Sequence, residues 1–227
     1  MQVVRVWDLP VRLFHWLLVL SILGSFISAN LGGNWMEWHQ KIGFFVLGLI
    51  LFRVAWGFAG NHYARFSTFV RKPSVVIAYA KSLLKPESKS FASHNPMGAL
   101  SVVALLACLA LQAVTGLFSN DDITVEGPYA NMVSKAVSDQ MTSLHKLNSD
   151  LLMVLMVLHL AAIIFYTVYK KEKLIKAMIT GDKVKNSGID GQFEVKMAES
   201  PRPIWLSWFL IAVVSGMTYV IVTRAFW

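Results

Sequence analysis

Five stretches of this chain, roughly 11–29, 37–59, 97–118, 143–169 and 204–224, are each apolar and long enough to cross about 30 Å of hydrocarbon as a helix. Hydrocarbon offers no partner to an open backbone amide, so each crossing segment must pair its amides internally, as a helix does. With 56% hydrophobic and only 15% charged residues, the chain cannot clothe an ordinary water-soluble domain. The expected fold class is an all-α integral membrane protein. It comprises a four-helix transmembrane bundle in 1–183, a polar linker at 184–203 and a fifth C-terminal transmembrane helix in 204–227. The first stretch follows Arg5 and Arg12 as a secretory signal would. It is longer than a signal core, starts with His15 and Trp16, and lacks a small-x-small cleavage site, so a retained span is expected.

The net charge of +8 is spread by loop, not gathered on one element, which excludes a nucleic-acid groove binder and reports topology instead. Arg65, Arg71, Lys72, Lys81, Lys85 and Lys89 lie between the second and third spans. Lys170, Lys171, Lys173, Lys176, Lys183 and Lys185 follow the fourth. The positive-inside rule puts both segments in the cytoplasm. The 30–37 turn has no Lys or Arg, and the third connection carries Asp121, Asp122, Glu126 and Asp139 against Lys135; both face outward. The N-terminus is then cytoplasmic, and five crossings leave Trp227 periplasmic.

Asp8-Leu9-Pro10 marks the start of the first helix, with Asp8 as cap and Pro10 in the first turn. A short helix on the membrane surface is expected over 75–84 and another over 129–137, and the pattern after Tyr169 is expected to stop at Gly181. Gly24, Gly43, Gly48, Gly98 and Gly116 allow either close helix contact or room for a flat ligand. Cys108 is alone, so there is no disulfide framework and no Cys-x-x-Cys-His attachment site for a covalent haem.

His145 and His159 stand fourteen residues apart in one span. On a helix that spacing returns to within about 40° of the same face, about 21 Å further along the axis. Ionisable groups in hydrocarbon are expensive and usually functional, and two in register suggest two stacked ligands. Depth pairs His15 with His159 toward the cytoplasm and His39 with His145 toward the outside. Closing both pairs on iron porphyrins would give two noncovalent bis-His haems, a geometry with no open coordination position and therefore suited to one-electron transfer. Zinc remains an alternative, although neither pair has the Cys or carboxylate neighbours that complete a tetrahedral site. Arg12 and Arg53, both near the cytoplasmic end, are candidates to hold anionic propionates, with snorkelling as the other role open to Arg53.

Val6-Trp7-Asp8-Leu9-Pro10-Val11-Arg12-Leu13-Phe14-His15-Trp16, Leu51-Phe52-Arg53-Val54-Ala55-Trp56-Gly57, His94-Asn95-Pro96-Met97-Gly98 and Ala177-Met178-Ile179-Thr180-Gly181, with the His145/His159 pair, resemble the bacterial cytochrome b561 family. That family includes the di-haem membrane subunits of nickel–iron hydrogenases. The resemblance covers about residues 3–183. It implies a four-helix core with two b-type haems on His15, His159, His39 and His145, exchanging electrons with the quinone pool. It also favours His94 as a quinone contact or proton carrier, a possible catalytic role in quinol or quinone chemistry. The fifth helix departs from the four-helix hydrogenase-type subunit. The expected function is electron relay between quinone or quinol and a periplasmic redox partner, a c-type cytochrome or a hydrogenase-like enzyme, with superoxide as another external donor. The rivals are a His-dependent proton or metal transporter, and a membrane anchor with no redox role of its own.

Overall fold

The computed structural model describes residues 2–83, 91, 93–123, 125–185 and 201–223. Most of the linker expected at 184–203 lies outside these residues, as do Leu84, Lys85, Lys89 and Trp227. Strand β1 (Gln2–Arg5) leads into α1 (Leu9–Leu31) and α2 (Trp35–Ala59). A 3₁₀ turn (His62–Ala64), the single-turn α3 (Phe66–Phe69) and α4 (Pro73–Ser82) then run to α5 (Pro96–Phe118). A second 3₁₀ turn (Ala130–Met132) precedes the long α6 (Lys135–Val168), α7 (Leu174–Thr180), β2 (Asp182–Lys185) and α8 (Ile204–Thr223). Among the described residues five helices, α1, α2, α5, α6 and α8, are long and apolar enough to cross a membrane.

Capping chemistry sets the helix starts. Asp8 accepts from the Val11 amide at 2.9 Å ahead of Pro10 in the first turn of α1, and Asn95 accepts from the Gly98 amide at 2.8 Å ahead of Pro96. The Asp8 carboxylate also receives Trp56 Nε1 at 3.0 Å and Asn61 Nδ2, tying the start of α1 to the end of α2. Gly181 ends α7 at φ +89°, a left-handed conformation. A Cβ there would lie 2.5 Å from Trp7 O, so only glycine lets the N-terminal segment approach closely enough for Val6 and Trp7 to donate to Gly181 O.

α1 packs along α2 and α5 along α6, while α2 joins the two pairs through α5 and also carries α8. One core cluster gathers Val11, Phe14, Leu49, Phe52, Trp56, Ala64 and Val214, and a second gathers Val46, Ile50, Leu109 and Leu152. Val214 brings α8 into the first cluster. A Cβ on Gly48 would meet Thr218 Oγ1 at 3.4 Å, so this glycine serves close helix contact. The Arg202 amide donates to Asn61 Oδ1 at the end bearing the basic loops, and Tyr129 Oη donates to Ile221 O at the opposite, acidic end. The fifth helix therefore spans the bundle and packs against it.

Three local expectations change. The helix expected over 129–137 is a 3₁₀ turn followed at once by α6, whose first two turns are too polar to register as a span. At 1.5 Å per residue the 34 residues of α6 measure about 51 Å, well beyond the hydrocarbon thickness. The helix expected over 75–84 is α4, which begins two residues earlier at Pro73 and is described to Ser82. The boundary expected between bundle and linker at 183/184 falls inside β2, which pairs antiparallel with β1 from Gln2↔Lys185 to Arg5↔Asp182.

Replacing Asp8 with Ala removes a helix cap and leaves the Trp56 N–H without its acceptor, an expected loss of about 2–4 kcal/mol. Thermal unfolding in detergent checks this, with Asp8→Asn expected to lose less because its amide oxygen can still cap α1.

Candidate functional site

At the acidic end, α1, α2, α5 and α6 enclose a cavity of about 500 Å³. His39 enters it from the first turns of α2 and His145 from α6, with ring centroids 6.1 Å apart and ring planes at 79°. Two imidazoles bonding one metal ion from opposite sides, at about 2 Å per metal–nitrogen bond, have ring centres roughly 6 Å apart.

The hydrogen bonds behind each ring fix which nitrogen faces the cavity. His39 Nδ1 lies 2.9 Å from Ser25 O, a carbonyl that can only accept, so Nδ1 carries the proton and Nε2 keeps its lone pair. His145 Nδ1 lies 3.1 Å from Thr115 Oγ1, whose own proton goes to Leu111 O at 2.7 Å, so here too the ring donates from Nδ1. A protein acceptor behind an imidazole is the usual way a metal-ligating His is oriented. Gly116 stands against His145, where a Cβ would lie 3.2 Å from Cε1. Gly43, also lining the cavity, has open space in front of it. Gly43 leaves its part of the wall flat, whereas Gly116, like Gly24 and Gly48, lets a side chain of a neighbouring helix approach closely.

At the basic end stand His15 of α1 and His159 of α6, both half-buried. His94, just before α5, feels both Arg53 and His159. The Trp7 and Phe69 rings flank it with centroids at 4.7 and 4.6 Å. Burial, with Arg53 and His159 adding to it, pushes the His94 imidazole down to about 3, so the ring is neutral at pH 7. Arg53 is only 3% exposed and lies over the Phe66 ring at 5.0 Å, so it does not snorkel to the surface. Arg12 donates from Nη1 to Ile179 O, which commits part of its guanidinium to holding α7. Four buried nitrogens at this end have no hydrogen-bond partner among the described residues: Arg12 Nε, His15 Nδ1, Arg53 Nη1 and His94 Nδ1. A buried donor left unsatisfied costs about 1–3 kcal/mol, so the basic end suits a ligand bearing acceptor oxygens or negative charge.

Sequence reasoning named His15, His39, His145 and His159 as candidates and passed over the residues around them. Thr115 orients His145, and Asn148 donates from Nδ2 to Cys108 O at 2.9 Å and to Gln112 Oε1 at 2.6 Å. The signal was available as isolated amide side chains in otherwise apolar spans. Among the described residues no group of three or more His, Cys, Asp or Glu could hold a metal ion, whereas structural zinc takes four protein ligands. His62 is exposed and apart from both sites.

Residues 6–181 match the family model described as prokaryotic cytochrome b561. Similar curated proteins include the probable Ni/Fe-hydrogenase B-type cytochrome subunits of Azotobacter chroococcum mcd 1, 27% identical, and Azotobacter vinelandii, 26% identical; each alignment covers 78% of this chain and 87% of the relative. The protein of the same description from Rhodobacter capsulatus is 22% identical over 79% of this chain and 81% of its own length. No solved structure matches the chain. With the model covering all four helices that enclose the two histidine pairs, the chain belongs to the prokaryotic cytochrome b561 family and is a multi-pass membrane b-type cytochrome of electron transfer.

Proposed function

We propose that this protein holds two noncovalent b-type haems, one between His39 and His145 and one between His15 and His159, and relays electrons between the quinone pool and a redox enzyme at the acidic face. The observation that carries the proposal is the His39/His145 pair: two rings at a spacing that fits one metal ion, both donating from Nδ1 and both turned into one cavity. A haem gripped by two imidazoles supplies reversible one-electron exchange with no open coordination position. The protein's own part is to orient the rings through Ser25 O and Thr115, to keep the wall flat at Gly43 and to make room for the His145 ring at Gly116.

The second pair is supported by the position of His15 and His159 toward the same, basic end and by the unpartnered nitrogens around them. Arg53, buried with Nη1 open, is the stronger propionate holder, and Arg12 keeps Nε for the same task. Fourteen residues of α6 separate the two sites by about 21 Å along the helix, so a centre at each end would leave a short gap between conjugated edges. His94, neutral and aromatic-flanked beside Arg53, fits a quinone oxygen or its proton.

The excess of Lys and Arg in the loops at the basic end supports a reading in which that end faces the cytoplasm and the acidic end the outside of a bacterial inner membrane. The similar proteins are named as hydrogenase cytochrome subunits, which makes a hydrogenase-like enzyme one reading of the partner, with a c-type cytochrome as the other. The fifth helix lies beyond the matched residues 6–181 and packs on α2, so it is an added part of the membrane unit.

Replacing His39 or His145 with Ala is expected to halve the haem bound per chain and abolish one low-spin signal, and replacing His15 or His159 to abolish the other. Haem quantification with electron paramagnetic resonance reads this, and full retention of both signals in any of the four variants contradicts the ligand assignment. His94→Gln is expected to keep both haems but slow their reduction by quinol about a hundredfold, read by stopped-flow absorbance; an unchanged rate removes His94 from quinone chemistry.

A further inference from the structure

Gln112 and Asn148 are amides in the middle of apolar helices, and their hydrogen bonds settle which way each points. Asn148 lies three residues after His145, is 3% exposed, and has its side-chain nitrogen 2.9 Å from the Cys108 carbonyl. A backbone carbonyl can only accept, so that atom must be Nδ2 and not Oδ1. The same Nδ2 lies 2.6 Å from the Gln112 side chain, which must therefore turn its oxygen, Oε1, toward Asn148. Both Asn148 hydrogens are then committed, and the Gln112 NH₂ is left on the far branch of its amide. Gln112 lines the cavity and Asn148 does not, so that far branch is the cavity side. Asn148 Oδ1 is buried without a hydrogen-bond partner among the described residues. Its side chain is held in place by its two donor bonds, and their effect is to fix Gln112.

Gln112 stands one turn before Gly116 on α5, about 6 Å nearer the middle of the bundle. Its N–H donors thus face the inner edge of the His39/His145 cavity, on the side toward the His15/His159 pair.

We infer that Gln112, oriented by Asn148, sets the reduction potential of the haem between His39 and His145, an inference that rests on the two-haem assignment above. The positive ends of two fixed N–H dipoles in low dielectric favour the state with one more electron, so the amide raises this haem's potential over what an apolar side chain would give. Gln112 acts as a positioning and tuning residue and is not a ligand.

The test is a potentiometric titration of the full-length protein in lipid nanodiscs, with the outer haem identified as the couple lost in His39→Ala. Gln112→Met, apolar and of similar length, is expected to keep two haems and to lower the outer haem's reduction equilibrium roughly tenfold, about 59 mV for one electron, with the other couple unmoved. Gln112→Glu is expected to lower it further. Should Gln112→Met fail to accumulate, Asn148→Ala, which frees the amide to turn, is expected to move the same couple in the same direction. An outer couple that stays in place, both couples moving together, or loss of the outer haem in Gln112→Met overturns the inference while two haems in the unaltered protein leave the assignment standing. A single haem in the unaltered protein overturns both.

Discussion

An imidazole buried in hydrocarbon has two nitrogens to satisfy, and the arrangement of this bundle follows from how that is done. At the acidic end the protein answers for one nitrogen of each ring: Ser25 O takes the proton of His39 Nδ1, and Thr115 takes that of His145. The two rings stand 6.1 Å apart, centroid to centroid, and line the same cavity. Were either back partner moved by one residue, its ring would be released to rotate and could present the wrong nitrogen. Thr115 sits one residue before Gly116, so the turn of α5 that orients the ring also gives it room along its Nδ1–Cε1 edge.

The basic end is organised differently. Its polar atoms are brought in from many parts of the chain: His15 and Arg12 from α1, Arg53 from α2, His94 from the approach to α5 and His159 from α6. Asp8 holds the first two of these helices together through Trp56 and Asn61, while Gly181 receives the N-terminal segment and the β1–β2 pair closes over it. The Arg5–Asp182 ion pair on this small sheet is exposed and contributes little. What fixes the end is backbone pairing and the burial of Trp56 and Phe69, each 1% exposed.

Much of this was legible in the sequence because hydrocarbon imposes one-dimensional rules. Span lengths, the caps at Asp8 and Asn95 and the stop at Gly181 are local, and the helix period alone pairs His145 with His159. Contacts between distant segments were not legible. Gln2–Arg5 and Asp182–Lys185 are four-residue strands that pair only because the bundle brings their ends together. The helix Ile204–Thr223 is apolar on every side, so nothing in its pattern tells a lipid-facing residue from Val214, which is buried on α1 and α2. Depth placed Arg12 and Arg53 near each other but could not say that one would turn to Ile179 O and the other lie under Phe66. Gln112 and Asn148 were visible as polar breaks, yet their meaning depends on α5 and α6 lying side by side.

The central claim is that four histidines serve two haem irons in one chain. The most direct measurement is an absorption spectrum of the purified protein before and after dithionite, with haem extracted and counted against polypeptide. Two noncovalent haems per chain, both with the sharp α-bands of low-spin bis-imidazole iron, are predicted. One haem per chain, or a high-spin spectrum indicating an open coordination position, would contradict the paired-site arrangement.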